Sequence, residues 1–170
     1  MLDPLAMYDY LALARGRILG AARALSPEQY QQQFPIGPGT LARTLTHILV
    51  GERRYVQRML GREAPPDEQW PFRVESPPPL AALESAWSDQ AAATREAIRQ
   101  VRDWTAPQEY RDTDDDGRPV VIAATAAGQF VQLFQHEVHH RAQAINMLRH
   151  LGIGVGDLDF NTLMFERRPG

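Results

Sequence analysis

Three of the chain's five histidines fall within five consecutive residues, His136-Glu137-Val138-His139-His140. On a helix, His136 and His140 stand one turn apart and about 40° around the axis, so both imidazoles project to one spot. That spacing offers two nitrogens to a single metal ion at about 2.0–2.1 Å. The same pair also fits two half-buried histidines hydrogen-bonded to their neighbours. His139 lies about 100° from His140 and belongs at the edge of such a site or on the surface. The stretch is not the zinc-protease signature, which places a further ligand later in the chain.

A further imidazole, His47, sits mid-helix in Thr44-Leu45-Thr46-His47-Ile48-Leu49. It lies beside its helix's apolar stripe, on the side of Thr44 and Gly51, where small neighbours leave room for an ion or ligand. Standing alone it reads as a boundary histidine. His150, in the last turn of its helix, reads as a cation beside the negative end of the helix dipole.

The elements that must position these residues are legible from caps and periodicity. Asp3-Pro4 starts a first helix, with an acceptor at the cap and proline in the first turn. Its stripe of Leu5, Tyr8, Leu11, Ala12, Ile18, Leu19 and Ala22 runs to about Leu25. Ser26-Pro27-Glu28-Gln29 is a capping box that opens only a short turn, because Phe34-Pro35-Ile36-Gly37-Pro38-Gly39 cannot continue a helix. Thr40 caps a second helix ending near Leu60, with Gly61 as its stop. Its stripe is Leu41, Leu45, Ile48, Leu49, Tyr55, Val56 and Met59. Residues 62–79 form a proline-rich crossover, and a third helix covers about 80–104.

Residues 108–122 read as two short strands around an Asp-Gly turn in Asp114-Asp115-Asp116-Gly117. A fourth helix follows over about 123–151, then an irregular tail. Four long amphipathic segments predict an all-α four-helix bundle, one domain over 1–170, with a small β-hairpin before the fourth helix. Leu133, His136, His140, Met147 and Leu151 share one side of that helix; Phe130, Phe134, Val138 and Ile145 lie on the far side. A helix apolar on two sides is buried on two sides. The second side predicts a homodimer, unless the tail and hairpin cover it.

Composition excludes several chemistries. There is no cysteine, so disulfides, thiolate nucleophiles, iron–sulfur clusters and cysteine zinc sites are absent. The 44% hydrophobic and 23% charged fractions are those of an ordinary soluble globular domain. A net charge of -3 and no basic stripe argue against nucleic acid or an anionic membrane as partner. No stretch approaches the roughly 20 apolar residues of a membrane span, and the N-terminus does not read as a signal peptide, so the expected location is cytoplasmic.

The residues 44–55, around His47 and Tyr55, resemble helix two of the DinB-like (DNA-damage-inducible) family. Gln135-His136-Glu137-Val138-His139-His140-Arg141-Ala142-Gln143 resembles that family's helix-four signature, and Tyr110-Arg111-Asp112-Thr113 and Asp157-Leu158-Asp159-Phe160 fit the same pattern. The chain departs at Ala142, where glycine is usual, and in helix one, which lacks the usual aromatic–asparagine pattern. The resemblance implies an up-up-down-down bundle, commonly dimeric, with a divalent metal on His47, His136 and His140. Zinc or nickel is the expected ion, and three imidazoles also accept iron or copper. Relatives of the family include a mycothiol-dependent maleylpyruvate isomerase and bacillithiol S-transferases. They imply a metal-dependent enzyme, such as a low-molecular-weight-thiol S-transferase or a hydrolase. Glu52, Arg54, Tyr8 and Arg141 are candidate supporting or substrate groups. The alternative is a non-catalytic, metal-stabilised stress-response or ligand-binding protein.

Overall fold

The structure is a computed structural model that describes residues 3–66, 69–114 and 116–168. Asp115, part of the expected Asp-Gly turn, lies outside the described residues.

Helix α1 spans Pro4–Ala22, and the Asp3 side chain accepts the Leu5 N–H at 2.9 Å. It stops three residues before the expected end. A one-turn helix α2, Pro27–Tyr30, carries the full Ser26–Gln29 capping box. Helix α3, Leu41–Met59, begins where Thr40 Oγ1 accepts the Arg43 N–H at 3.0 Å. Helix α4 spans Leu80–Gln100 and ends early because Val101 is extended. That break lets Trp104 pack edge-on against Phe130, with ring centroids 5.7 Å apart.

Strands β1 (Pro107–Thr113) and β2 (Pro119–Thr125) pair antiparallel, with Tyr110 opposite Ile122 and Asp112 opposite Val120. Thr125 then caps the longest helix, α5, Ala126–His150. The tail forms a short helix α6, Phe160–Met164, anchored by Phe160 against the Tyr10 ring at 5.0 Å.

Helix α5 packs mainly on α3 and α1, and α4 packs on the same two. Successive pairs α1/α3 and α4/α5 therefore sit across the diagonals and are joined by long connections, as an up-up-down-down bundle requires. None of the described helices is long and apolar enough to cross a membrane.

The core is divided. One cluster gathers Ile18, Leu45, Leu49, Leu83, Trp87 and Met147; the other gathers Tyr8, Leu11, Val56, Met59, Phe130 and Leu133. Between them each helix contributes buried polar residues: Arg15, Glu52, Gln90 and Thr94, Glu137 and Arg141. This polar waist explains a departure in α5. Its buried positions run as one arc through Phe130, Leu133, Glu137, Arg141, Ala144 and Leu148. The two apolar sides expected from the sequence are the flanks of that arc. Phe134, Val138 and Ile145 pack against the chain's own core, with Phe134 stacked on Tyr10 at 6.2 Å. That flank therefore does not call for a second copy.

Candidate metal centre

Helices α3 and α5 share the most extensive helix interface, and the three histidines lie along it. His47 Nε2 and His136 Nε2 are 3.0 Å apart. The ring centroids are separated by 4.8 Å for His47–His136, 4.4 Å for His47–His140 and 4.6 Å for His136–His140. One nitrogen from each of the three lies within 4.8 Å of the others. Nitrogens on a tetrahedral zinc sit about 3.3 Å apart, so small side-chain rotations suffice to close the triangle. All three residues are half-buried.

The local sequence makes room for this. A Cβ built on Gly51, one turn beyond His47, would fall 2.5 Å from His136 Cε1. Only glycine lets that ring lie against α3. His140 Nδ1 is 2.8 Å from Gln143 Oε1, and Gln143 Nε2 is 3.1 Å from His139 Nε2. With the amide so oriented, Oε1 only accepts, so His140 carries its proton on Nδ1 and leaves the Nε2 lone pair for the centre. Gly37, at φ +47°, closes over Gln143; a Cβ there would be 2.1 Å from Oε1.

Electrostatics keep these rings neutral. Burial, then the neighbouring His140 and Arg54 charges, bring His47 down to about 4. Burial, then His47, His140, His139 and Arg54, bring His136 down to about 3. Burial also lowers His140, against the hydrogen bond to Gln143, which raises it. Neutral imidazoles are the form that binds metal. The three-nitrogen donor set, without thiolate or carboxylate, fits zinc, nickel, iron or copper.

The remaining candidates fall elsewhere. His139 is exposed at the edge, and its ring meets His140 at 4.8 Å. His150 lies against Phe34 at 5.9 Å. Glu137 faces the bundle interior, where both of its oxygens accept from Arg15. Burial outweighs the pull of Arg15 and raises the Glu137 carboxyl. Glu52 takes three donors: the Tyr8 hydroxyl at 2.6 Å, Arg15 Nη2 at 2.6 Å and Thr94 Oγ1 at 2.6 Å. Arg141 donates to the Tyr10 hydroxyl at 2.7 Å. Tyr8, Glu52 and Arg141 thus serve the waist, whereas the positive charge of Arg54 bears on both His47 and His136.

Three residues at or behind the centre escape sequence reasoning. Tyr55, read as core, meets the His136 ring edge-on at 5.4 Å. Gln143 stands three residues after His140, a spacing that places it on the same face. Arg15 stands four residues after Leu11 and three before Ile18, within the apolar stripe of α1, which was the available signal of its burial.

A helical bundle with three neutral imidazoles bridging two helices defines a class of candidate helical metalloproteins. The chain belongs to the DinB family, whose model matches residues 1–168. Its fold is also similar to the crystal structure of a DinB-like protein from Bacillus cereus, with a TM-score of 0.58 and 20% identity, covering 89% of this chain and 94% of that one. Among curated proteins none matches.

Proposed function

We propose that the chain binds one divalent metal ion, zinc or nickel, on His47, His136 and His140 and acts as a metal-dependent enzyme on a small molecule. The observation that carries this reading is the convergence of three neutral imidazoles with no opposite charge among them. Three protein ligands leave a position open, the pattern of catalytic rather than closed structural sites. When bound, the ion supplies Lewis acidity, which draws the pKa of a thiol or water towards neutrality and polarises a carbonyl. The chain's own residues hold it: Gly51 admits the His136 ring, and Gln143 orients His140. Glu137, locked on Arg15, supplies no base to the centre, which separates this site from the zinc-protease arrangement.

Transfer of a low-molecular-weight thiol, or hydrolysis, is the proposed reaction class. The test is metal loading followed by incubation with a panel of cellular thiols and electrophiles. Thiol consumption by wild type and none by His47→Ala supports the reading. A metal-dependent rise in melting temperature with no turnover across the panel favours the non-catalytic, metal-stabilised alternative. The same reading places a homodimer in the cytoplasm. Leu13, Val121, Val131, Phe160 and Phe165 are the exposed large apolar side chains among the described residues, and sedimentation of the purified chain tests whether they support self-association.

A further inference from the structure

Beside the triad, between the hairpin and the first turns of α5, lies a cavity of about 700 Å³. Tyr55 is the common wall. Its ring touches His136, and on its other side it lines the cavity with Arg58, Tyr110, Asp112, Gln129 and Gln132. Gln132 stands one turn before His136 on α5, and its Nε2 is 3.5 Å from the Tyr55 hydroxyl. The volume is that of a site for a small organic molecule.

Two side chains define the chemistry. Gln129 is only 3% exposed, and its Oε1 has no hydrogen-bond partner among the described residues. A buried acceptor left unpaired in a lining residue is an unmet hydrogen bond that a donor at the cavity wall would satisfy. Arg58 lies over the Tyr110 ring at 3.9 Å and donates through Nη2 to Asp112 at 3.0 Å. Ring and carboxylate fix its plane, and a guanidinium has five N–H groups, so this pairing does not exhaust it. Two first-turn amides of α5 are already used, Gly128 N–H by Thr125 Oγ1 and Ala127 N–H by the Trp104 carbonyl. Arg58 is the cation among the residues that line this cavity, so anion recognition falls to it. A second cavity, of about 460 Å³, shares Arg58 and adds Arg54 and Arg111 against Glu63 and Asp112, three cations to two carboxylates.

We propose that the hairpin cavity binds a small carboxylate-bearing molecule with an N–H or O–H donor, as the non-reacting part of the substrate handled at the triad. Arg58 takes the carboxylate and Gln129 the donor. The link to the triad rests on the metalloenzyme reading; the binding itself does not.

The test is isothermal titration of the full chain, zinc-loaded and metal-free, with N-acetyl-L-cysteine and with its methyl ester. The acid should bind wild type roughly tenfold more tightly than the ester in both forms, and Arg58→Gln should erase that difference. Gln129→Leu should weaken acid and ester alike. Equal binding of acid and ester to wild type, a comparison that needs no variant to fold, overturns the proposal. So does a preference that persists in Arg58→Gln, or no saturable binding of the acid. A preference that survives in metal-free His47→Ala upholds the cavity even where no turnover is found. Turnover without any carboxylate preference overturns the cavity and leaves the triad's reading intact.

Discussion

Two polar clusters lie back to back on α3 and α5, and they are built on opposite principles. The waist places two cations, Arg15 and Arg141, among two carboxylates, Glu52 and Glu137. Its charges answer one another: burial alone would lower the Arg15 guanidinium, but Glu137 and Glu52 outweigh it and raise it. The Trp87 ring covers the same guanidinium at 3.6 Å. The triad holds no carboxylate: His47 Nε2 and His136 Nε2 lie within hydrogen-bond distance of each other, and His140 bonds Gln143. Burial disfavours protonation of His47 and His136, and the Arg54 charge adds a smaller push of the same sign. Charge balance marks the first cluster as structural, whereas the second gathers three imidazoles that could hold a cation. His136 and Glu137 are adjacent in sequence, yet one helical step assigns them to different tasks.

That contrast breaks most visibly at Arg15. Arg15→Ala leaves two buried carboxylates without their shared partner and should cost about 3–5 kcal/mol of stability by denaturant melts. Metal affinity in whatever fraction stays folded should change little, because Arg15 bonds Glu52 and Glu137 and not the proposed ligands. Gly51→Ala should strike the other cluster. Its methyl occupies the place of the His136 ring, and we expect a loss of about 1–3 kcal/mol together with a sharp loss of metal affinity by titration. Gln143→Ala frees the His140 ring and should weaken metal binding about 10–100-fold with little change in melting temperature.

The smallest effect is on pH dependence. The folded-state pKa of His47 and His136 is depressed below 6.5, so the unfolded chain binds more protons. Their contribution to the stability of the metal-free protein is full above about pH 6.5 and is lost as pH falls through about 4 for His47 and about 3 for His136. Melts of metal-free wild type between pH 7 and 4 should show that decline, and His47→Ala should flatten part of it. An unchanged slope would mean that His47 is not shielded as described.

Much of this architecture was readable beforehand, and the misreadings share a cause. Asp3, Ser26, Thr40 and Gly61 mark helix ends because caps and stops are local chemistry. The pairing of His136 with His140 is local too, being a property of one helix. His47 is different: which residue of α3 faces them depends on how two helices slide and rotate against each other, and only the family resemblance carried that information. The α5 stripe reads as two apolar sides because charged residues, Glu137 and Arg141, stand between them. Their burial depends on Arg15 and Tyr10, which belong to α1. The hairpin was placed by its turn residues, but the cavity beside it arises only when Arg58 of α3 meets Tyr110 and Asp112 of β1.

The most direct test of the triad is elemental analysis of purified protein after equilibration with zinc or nickel and exhaustive dialysis. Wild type should retain one ion per chain, and His47→Ala, with two imidazoles still on α5, should retain none. Equal metal content in the two proteins, or none in either, would contradict a centre assembled from both helices.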